Sequence, residues 1–167
     1  MSKKNGVVEA EGVLRFDLNK LSVQDATDFQ TRFAYAKRAE IMARVIEIVP
    51  DTWDAEPEKM LARFTVFKDA EATLIQQMRD ATVRPEPFVW MSGLSFVDYD
   101  VMNIGDVDLF FQPNVRQTAA ALSAVVLTLP ERLGNPASHA TYMNMPWADF
   151  NYIQMCFIDY IGAYRKN

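Results

Sequence analysis

One cysteine and one histidine among 167 residues leave little material for reactive or metal chemistry. Cys156 alone excludes an internal disulfide framework, and with His139 it falls short of any His/Cys set for a structural zinc. The chain must fold by burial alone. Glycine is sparse as well: the six residues at positions 6, 12, 93, 105, 134 and 162 match no Gly-rich phosphate loop. An excess of positive charge is missing, since 17 basic against 22 acidic side chains give a formal net charge of −5. That balance argues against a nucleic-acid or anionic-membrane partner. Residues 145–164 are long enough to cross a bilayer, but they carry Asp149, Asn151, Gln154 and Asp159, which are costly in hydrocarbon, so a core helix is expected. Lys3 and Lys4 run into Glu9 and Glu11, which interrupt any signal-peptide core, and a cytoplasmic protein is expected.

What the chain does have is apolar substance. Half of its residues are apolar and 23% are charged, a globular composition at a length that fits one compact domain, 1–167, with a substantial core. Charge is unevenly spread: residues 1–83 hold 12 basic and 14 acidic side chains, residues 84–167 only 5 and 8. Twelve large rings, from Phe88 to Tyr160, crowd the charge-poor half. Either some of them cover a partner, or the first half wraps the second.

Helical spacing dominates. Ser22 and Asp25 form an opening cap, followed by apolar residues at Phe29, Phe33 and Ala36, then Met42, Val45, Ile46 and Val49. A phase slip near Tyr35–Ala39 implies a kink or two short helices, and Pro50 stops the run. Pro57 suits the first position of a second helix striped by Met60, Phe64, Phe67, Leu74 or Ile75, and Met78, ending near Thr82. The prolines at 85 and 87 mark a linker, 83–92.

Past that linker the pattern begins again. Gly93-Leu94-Ser95-Phe96 matches Gly12-Val13-Leu14-Arg15-Phe16, with the phenylalanines 80 residues apart. Asn103 with Asp106 repeats Ser22 with Asp25, and the apolar tail ending in Pro130 repeats the one ending in Pro50. Pro146 parallels Pro57 at the start of each closing helix. The expected fold is therefore mainly α: two diverged helical-hairpin repeats, about 12–82 and 93–164, with a short β-hairpin or paired edge strands from the segments 7–18 and 88–99 that precede them. The alternative is a chance likeness of two helical hairpins. The closing helix carries Trp147, Phe150, Phe157, Ile161 and Tyr164 on one stripe and further apolar residues beside it, so it is either central or docked on a partner.

No catalytic constellation stands out, and no enzyme is expected. Ser138 beside His139 is no warrant for a triad, which is assembled across a fold, and Cys156 lies in an apolar helix. Asp98, Asp100, Asp106 and Asp108 lack the ligand spacing of a calcium loop, and capping by Asp106 accounts for them better. No cofactor or metal is called for.

Residues 122–160, with an apolar helix end, a polar loop and then Met145-Pro146-Trp147 opening a helix, resemble the tail assembly chaperones of long-tailed bacteriophages. The likeness covers about a quarter of the chain. It implies a non-enzymatic helper, made in the host cytoplasm, that binds apolar helical segments of a tape measure or tail tube protein. The residues expected to make that contact are Tyr142, Met145, Trp147, Phe150, Phe157 and Ile161. A homo-oligomer is also compatible. The rival expectation is a structural connector or tail-completion subunit of the virion.

Overall fold

The computed structural model describes residues 14–81 and 96–164; the expected linker at 83–92, and most of the two candidate strand segments, lie outside them. Eight α-helices and one two-stranded antiparallel sheet make the described residues mainly α. None of these helices is long and apolar enough to cross a membrane. The chain divides into two compact units: residues 1–21 with 28–81, and residues 22–27 with 82–167. The second thus includes a six-residue segment that the sequence boundaries, 12–82 and 93–164, assigned to the first repeat.

In the first unit, β1 (Arg15–Phe16) leads into a 3-10 turn at Leu18–Lys20, where the Asp17 carboxylate accepts from the Asn19 N–H at 3.0 Å. Helix α1 (Val23–Gln30) starts at Ser22, whose hydroxyl accepts from the Asp25 N–H while the Asp25 carboxylate accepts from the Ser22 N–H, at 3.0 and 2.9 Å. Both orphan donors of the first turn are satisfied this way. The phase slip is a real break between two helices. Phe33 sits there at φ +61°, a left-handed conformation that ends one helix before α2 (Tyr35–Val45) begins. Arg38 ties the break together by donating from Nε to the Phe29 carbonyl at 2.7 Å and from a terminal nitrogen to Glu71 at 3.0 Å.

Helix α2 stops at Val45, not at Pro50. Ile46-Glu47-Ile48 alternates apolar and charged residues with β-branched side chains, which suits a strand, and it forms β2 (Ile46–Ile48) antiparallel to β1. The strand segments expected to pair with each other instead find partners at the ends of helices: β1 takes β2, and Val97 bridges Val126. The stretch expected to be one helix from Pro57 is two, α3 (Pro57–Leu61) and α4 (Phe64–Asp80), broken at Ala62 and Arg63. Helix α4 buries Val66, Phe67, Ala70, Leu74 and Met78, a stripe at helical spacing. Gln77 on that helix accepts from the Phe16 N–H at 2.9 Å and donates to the Leu14 carbonyl at 3.0 Å, holding the free edge of β1.

The second unit carries the same order of elements: α5 (Ile104–Phe110), α6 (Val115–Val125), a 3-10 turn at Glu131–Leu133, α7 (His139–Asn144) and α8 (Trp147–Tyr164). The likeness extends to single bonds. Helices α2 and α6 are both 11 residues long and lie 80 apart in the sequence. The Asp17 N–H donates to the Val45 carbonyl at 2.7 Å, and the Asp98 N–H to the Val125 carbonyl at 2.8 Å. Where Arg38 reaches the Phe29 carbonyl, Thr118 donates its hydroxyl to the Phe110 carbonyl at 3.0 Å. The break between α3 and α4 at 62–63 recurs between α7 and α8 at 145–146, so Pro146 corresponds to Arg63, while Pro57 opens the short helix. Pairing those two prolines by sequence misaligns the closing helices, because proline marks a helix start without saying which one. Phe96, Phe110, Leu122, Tyr142, Phe150, Ile153 and Phe157 form this unit's core, with the Phe110 and Phe157 rings 4.3 Å apart.

Candidate protein-binding surface

The residues expected to face a partner lie inside the second unit. Tyr142, Phe150 and Phe157 are fully buried, Met145 and Trp147 nearly so, and Ile161 is half-buried. Of the two positions open to an apolar, broad-faced helix, α8 takes the central one. Local chemistry explains the burial at its start. The segment Ser22–Thr27 belongs to this unit: the Val23 N–H donates to the Met145 carbonyl at 3.1 Å, and Ser22 forms an antiparallel bridge with Pro146. Each fully buried ring contributes roughly 1.5–3 kcal/mol to folding, so these side chains serve the core. The same interior holds the Tyr142 hydroxyl, the Trp147 Nε1–H and the Asn151 Nδ2, buried with no hydrogen-bond partner among the described residues. Burial pushes the Tyr142 phenol well above its ordinary pKa.

Groups considered for chemistry are engaged structurally. His139 Nε2 lies 3.1 Å from the Arg116 carbonyl, to which it can donate, and Cys156 is buried. Asp98 accepts from the backbone N–H groups of Asp100 and Val101 at 3.1 and 3.3 Å, and Asp106 completes a capping box with Asn103. Among the described residues, no three His, Cys, Asp or Glu side chains converge as metal ligands. An open concavity of about 350 Å³ is lined by Arg132, Ser138, Thr141 and Asn144, but Arg132 is already clamped on Asp149 by two bonds of 2.8 and 3.1 Å.

Exposed apolar surface lies elsewhere. In the first unit Phe64 is 75% exposed and Phe33 68%, with Tyr35 and Leu61 less so. Phe64 opens α4 directly after the break, where Arg63 runs extended and donates to the Thr52 carbonyl at 3.1 Å. Tyr35 packs edge-on against Phe67 at 5.9 Å, and Arg38 and Lys68 stand over its ring at 5.4 and 5.9 Å. Lys59, Arg63 and Lys68 are the charged residues from 59 to 68, and Lys59 is paired with Asp54 at 2.7 Å and Lys68 with Glu71 at 3.1 Å.

The second unit exposes Ile104, at 76%, with Val101, Phe111 and Leu127. Ile104 is the first residue of α5, just past the Asn103 cap. Its neighbours Asp98, Asp100, Asp106 and Asp108 are the only charged residues from 96 to 115, so this edge is acidic. The sequence pattern missed both positions. Phe64 fits the buried stripe of a continuous helix, and nothing in Leu61-Ala62-Arg63 announces the break that turns it outward. Ile104 carries no signal beyond its place after a cap. No family model, curated protein or solved structure matches the chain.

Proposed function

We infer that this chain is a non-enzymatic protein-binding module of the adaptor or assembly-chaperone type. The observation that carries this reading is the Leu61–Phe64 corner: large apolar side chains left exposed at a helix start, with Lys59, Arg63 and Lys68 close by in the sequence. Exposed apolar side chains grouped near one another, as Leu61 and Phe64 are in the sequence, are the kind that mark contact surfaces. An apolar helix with acidic flanks is the complementary ligand. The likeness to tail assembly chaperones adds tape measure or tail tube segments as the class of partner. The contact site is moved from the α8 face, which is core, to this corner.

The test is a titration of a labelled amphipathic helical peptide with acidic flanks, followed by fluorescence anisotropy. Binding should weaken as salt is raised and should be lost in Phe64→Asp with the melting temperature unchanged. Equal binding by wild type and Phe64→Asp would refute the assignment. A second reading, a structural connector or tail-completion subunit, is favoured by each unit's having its own exposed apolar position, Phe64 in one and Ile104 in the other. A connector persists at fixed copy number in the finished particle, whereas a chaperone is absent from it.

A further inference from the structure

The two units use one docking geometry, and only one instance of it is filled. In the second unit, the corner between α7 and α8 (Met145, Pro146, Trp147) receives the capped helix start Ser22-Val23 through the Val23-to-Met145 bond and the Ser22–Pro146 bridge. On that contact Val23 is 0% exposed and Trp147 8%. The positional equivalent of the corner in the first unit, 83 residues earlier, is Ala62-Arg63-Phe64, between α3 and α4. The equivalent of the inserted helix start, 81 residues later, is Asn103-Ile104, which carries the same reciprocal cap: Ser22 with Asp25 at 2.9 and 3.0 Å, Asn103 with Asp106 at 2.9 and 3.1 Å. Yet Phe64 is 75% exposed and Ile104 76%. A β-branched side chain at the first helical position and a ring at the corner are thus both buried in one instance and both bare in the other.

We propose that the bare helix start at Asn103-Ile104 of one molecule docks into the bare Ala62-Arg63-Phe64 corner of a second copy of this chain, in the manner of Ser22-Val23 against Met145-Pro146-Trp147. The charges agree with this pairing. The incoming edge carries four aspartates and no cation from 96 to 115, and the receiving corner carries Arg63, with Lys59 and Lys68 beside it already paired to Asp54 and Glu71 at 2.7 and 3.1 Å. The filled contact shows no such complementarity, with Asp25 at the incoming cap and Asp149 in the first turn of the receiving helix, whereas contacts between chains gain encounter rate and specificity from opposite fields. The contact is heterologous, so each docked pair still offers one free corner and one free edge. The assembly therefore closes into a ring or continues as a filament. This inference rests on the protein-binding reading and names the partner of the same corner.

The experiment is sedimentation velocity of the full chain over a range of concentrations at low salt. Wild type should form species that grow with concentration and dissociate at high salt. Phe64→Asp, which keeps its Ile104 edge, and Ile104→Lys, which keeps its Phe64 corner, should each sediment as monomers; an equimolar mixture should form a dimer and nothing larger. Each substitution should weaken self-association at least about tenfold, the effect of losing one central interface side chain. Because both side chains project into solvent, melting curves should match wild type. As a second measurement, mixing Arg63→Cys with Asn103→Cys under oxidising conditions should give a disulfide-linked dimer that neither variant gives alone, since the equivalent residues Pro146 and Ser22 are bridge partners. Wild type that stays monomeric, Ile104→Lys that still assembles alone, or a mixture with neither dimer nor cross-link would overturn the proposal. Monomeric wild type that still binds the helical peptide removes self-docking and keeps the protein-binding reading, whereas loss of both removes both.

Discussion

The corner between short and long helix is covered in the second unit and bare in the first, although the helix lengths, the Ser22 and Asn103 caps and the bonds to the Val45 and Val125 carbonyls run in parallel. Trp147 is buried directly after Met145 and Pro146, with which Val23 and Ser22 pair, while Phe64 is exposed at the start of α4. The lesson is that an aromatic at a helix start does not reveal its own burial. What decides it is whether another piece of chain arrives to pair with the two residues before it. The difference also locates function: a ring already covered by its own chain supports the core, and the equivalent uncovered ring is the one left for a partner.

The sharpest way to break this comparison is to make the same kind of change at both places. Phe150→Ala should cost about 3–5 kcal/mol, as expected of a fully buried ring, and Trp147→Glu should unfold the second unit. Phe64→Asp should leave thermal unfolding near that of wild type. Equal losses at Phe150 and Phe64 in denaturant titrations would erase the distinction. Next in size is the brace across the helix break. Arg38→Ala, which removes a charge-assisted pair to Glu71 and a bond to the Phe29 carbonyl, should cost about 2 kcal/mol, and Thr118→Ala, with its single hydroxyl bond, about 1 kcal/mol. If the two cost the same, the extra bonds of Arg38 contribute nothing.

Smaller still, Tyr142→Phe removes a buried hydroxyl without a partner and should leave stability unchanged or raise it by up to about 1 kcal/mol. A lower melting temperature would show that the hydroxyl is hydrogen-bonded in solution. The smallest effect is on pH. Hydrogen bonds from Arg15 and Lys59 hold the Glu47 and Asp54 carboxyls below the usual carboxylate range. Their contribution to stability is therefore present above the ordinary carboxylate pKa of about 4 and is lost as pH falls through the depressed folded values. Both groups are fully exposed, so the acid-side loss should be slight, and Glu47→Gln should remove part of it.

Much of the fold was legible. The Ser22/Asp25 and Asn103/Asp106 caps, the mainly helical class and the break near Tyr35 follow from local chemistry that operates within one helical turn. Other features needed partners from afar. Ile46–Ile48 read as a helix tail because its apolar residues continue the stripe of α2, and only the arrival of β1 makes it a strand. The break at Ala62 and Arg63 has no proline or glycine to mark it. Trp147, Phe150, Phe157, Ile161 and Tyr164 fall on one stripe of the closing helix, but periodicity cannot say whether such a face meets its own chain or another. Here the covering segment lies more than a hundred residues upstream, at Ser22 and Val23, and is itself polar enough at Ser22 to pass as a simple cap.

Native mass spectrometry of an equimolar mixture of Phe64→Asp and Ile104→Lys chains tests the central claim most directly. The account predicts single chains for each variant alone and a two-chain species in the mixture; single chains throughout, or pairs formed by either variant by itself, would contradict it.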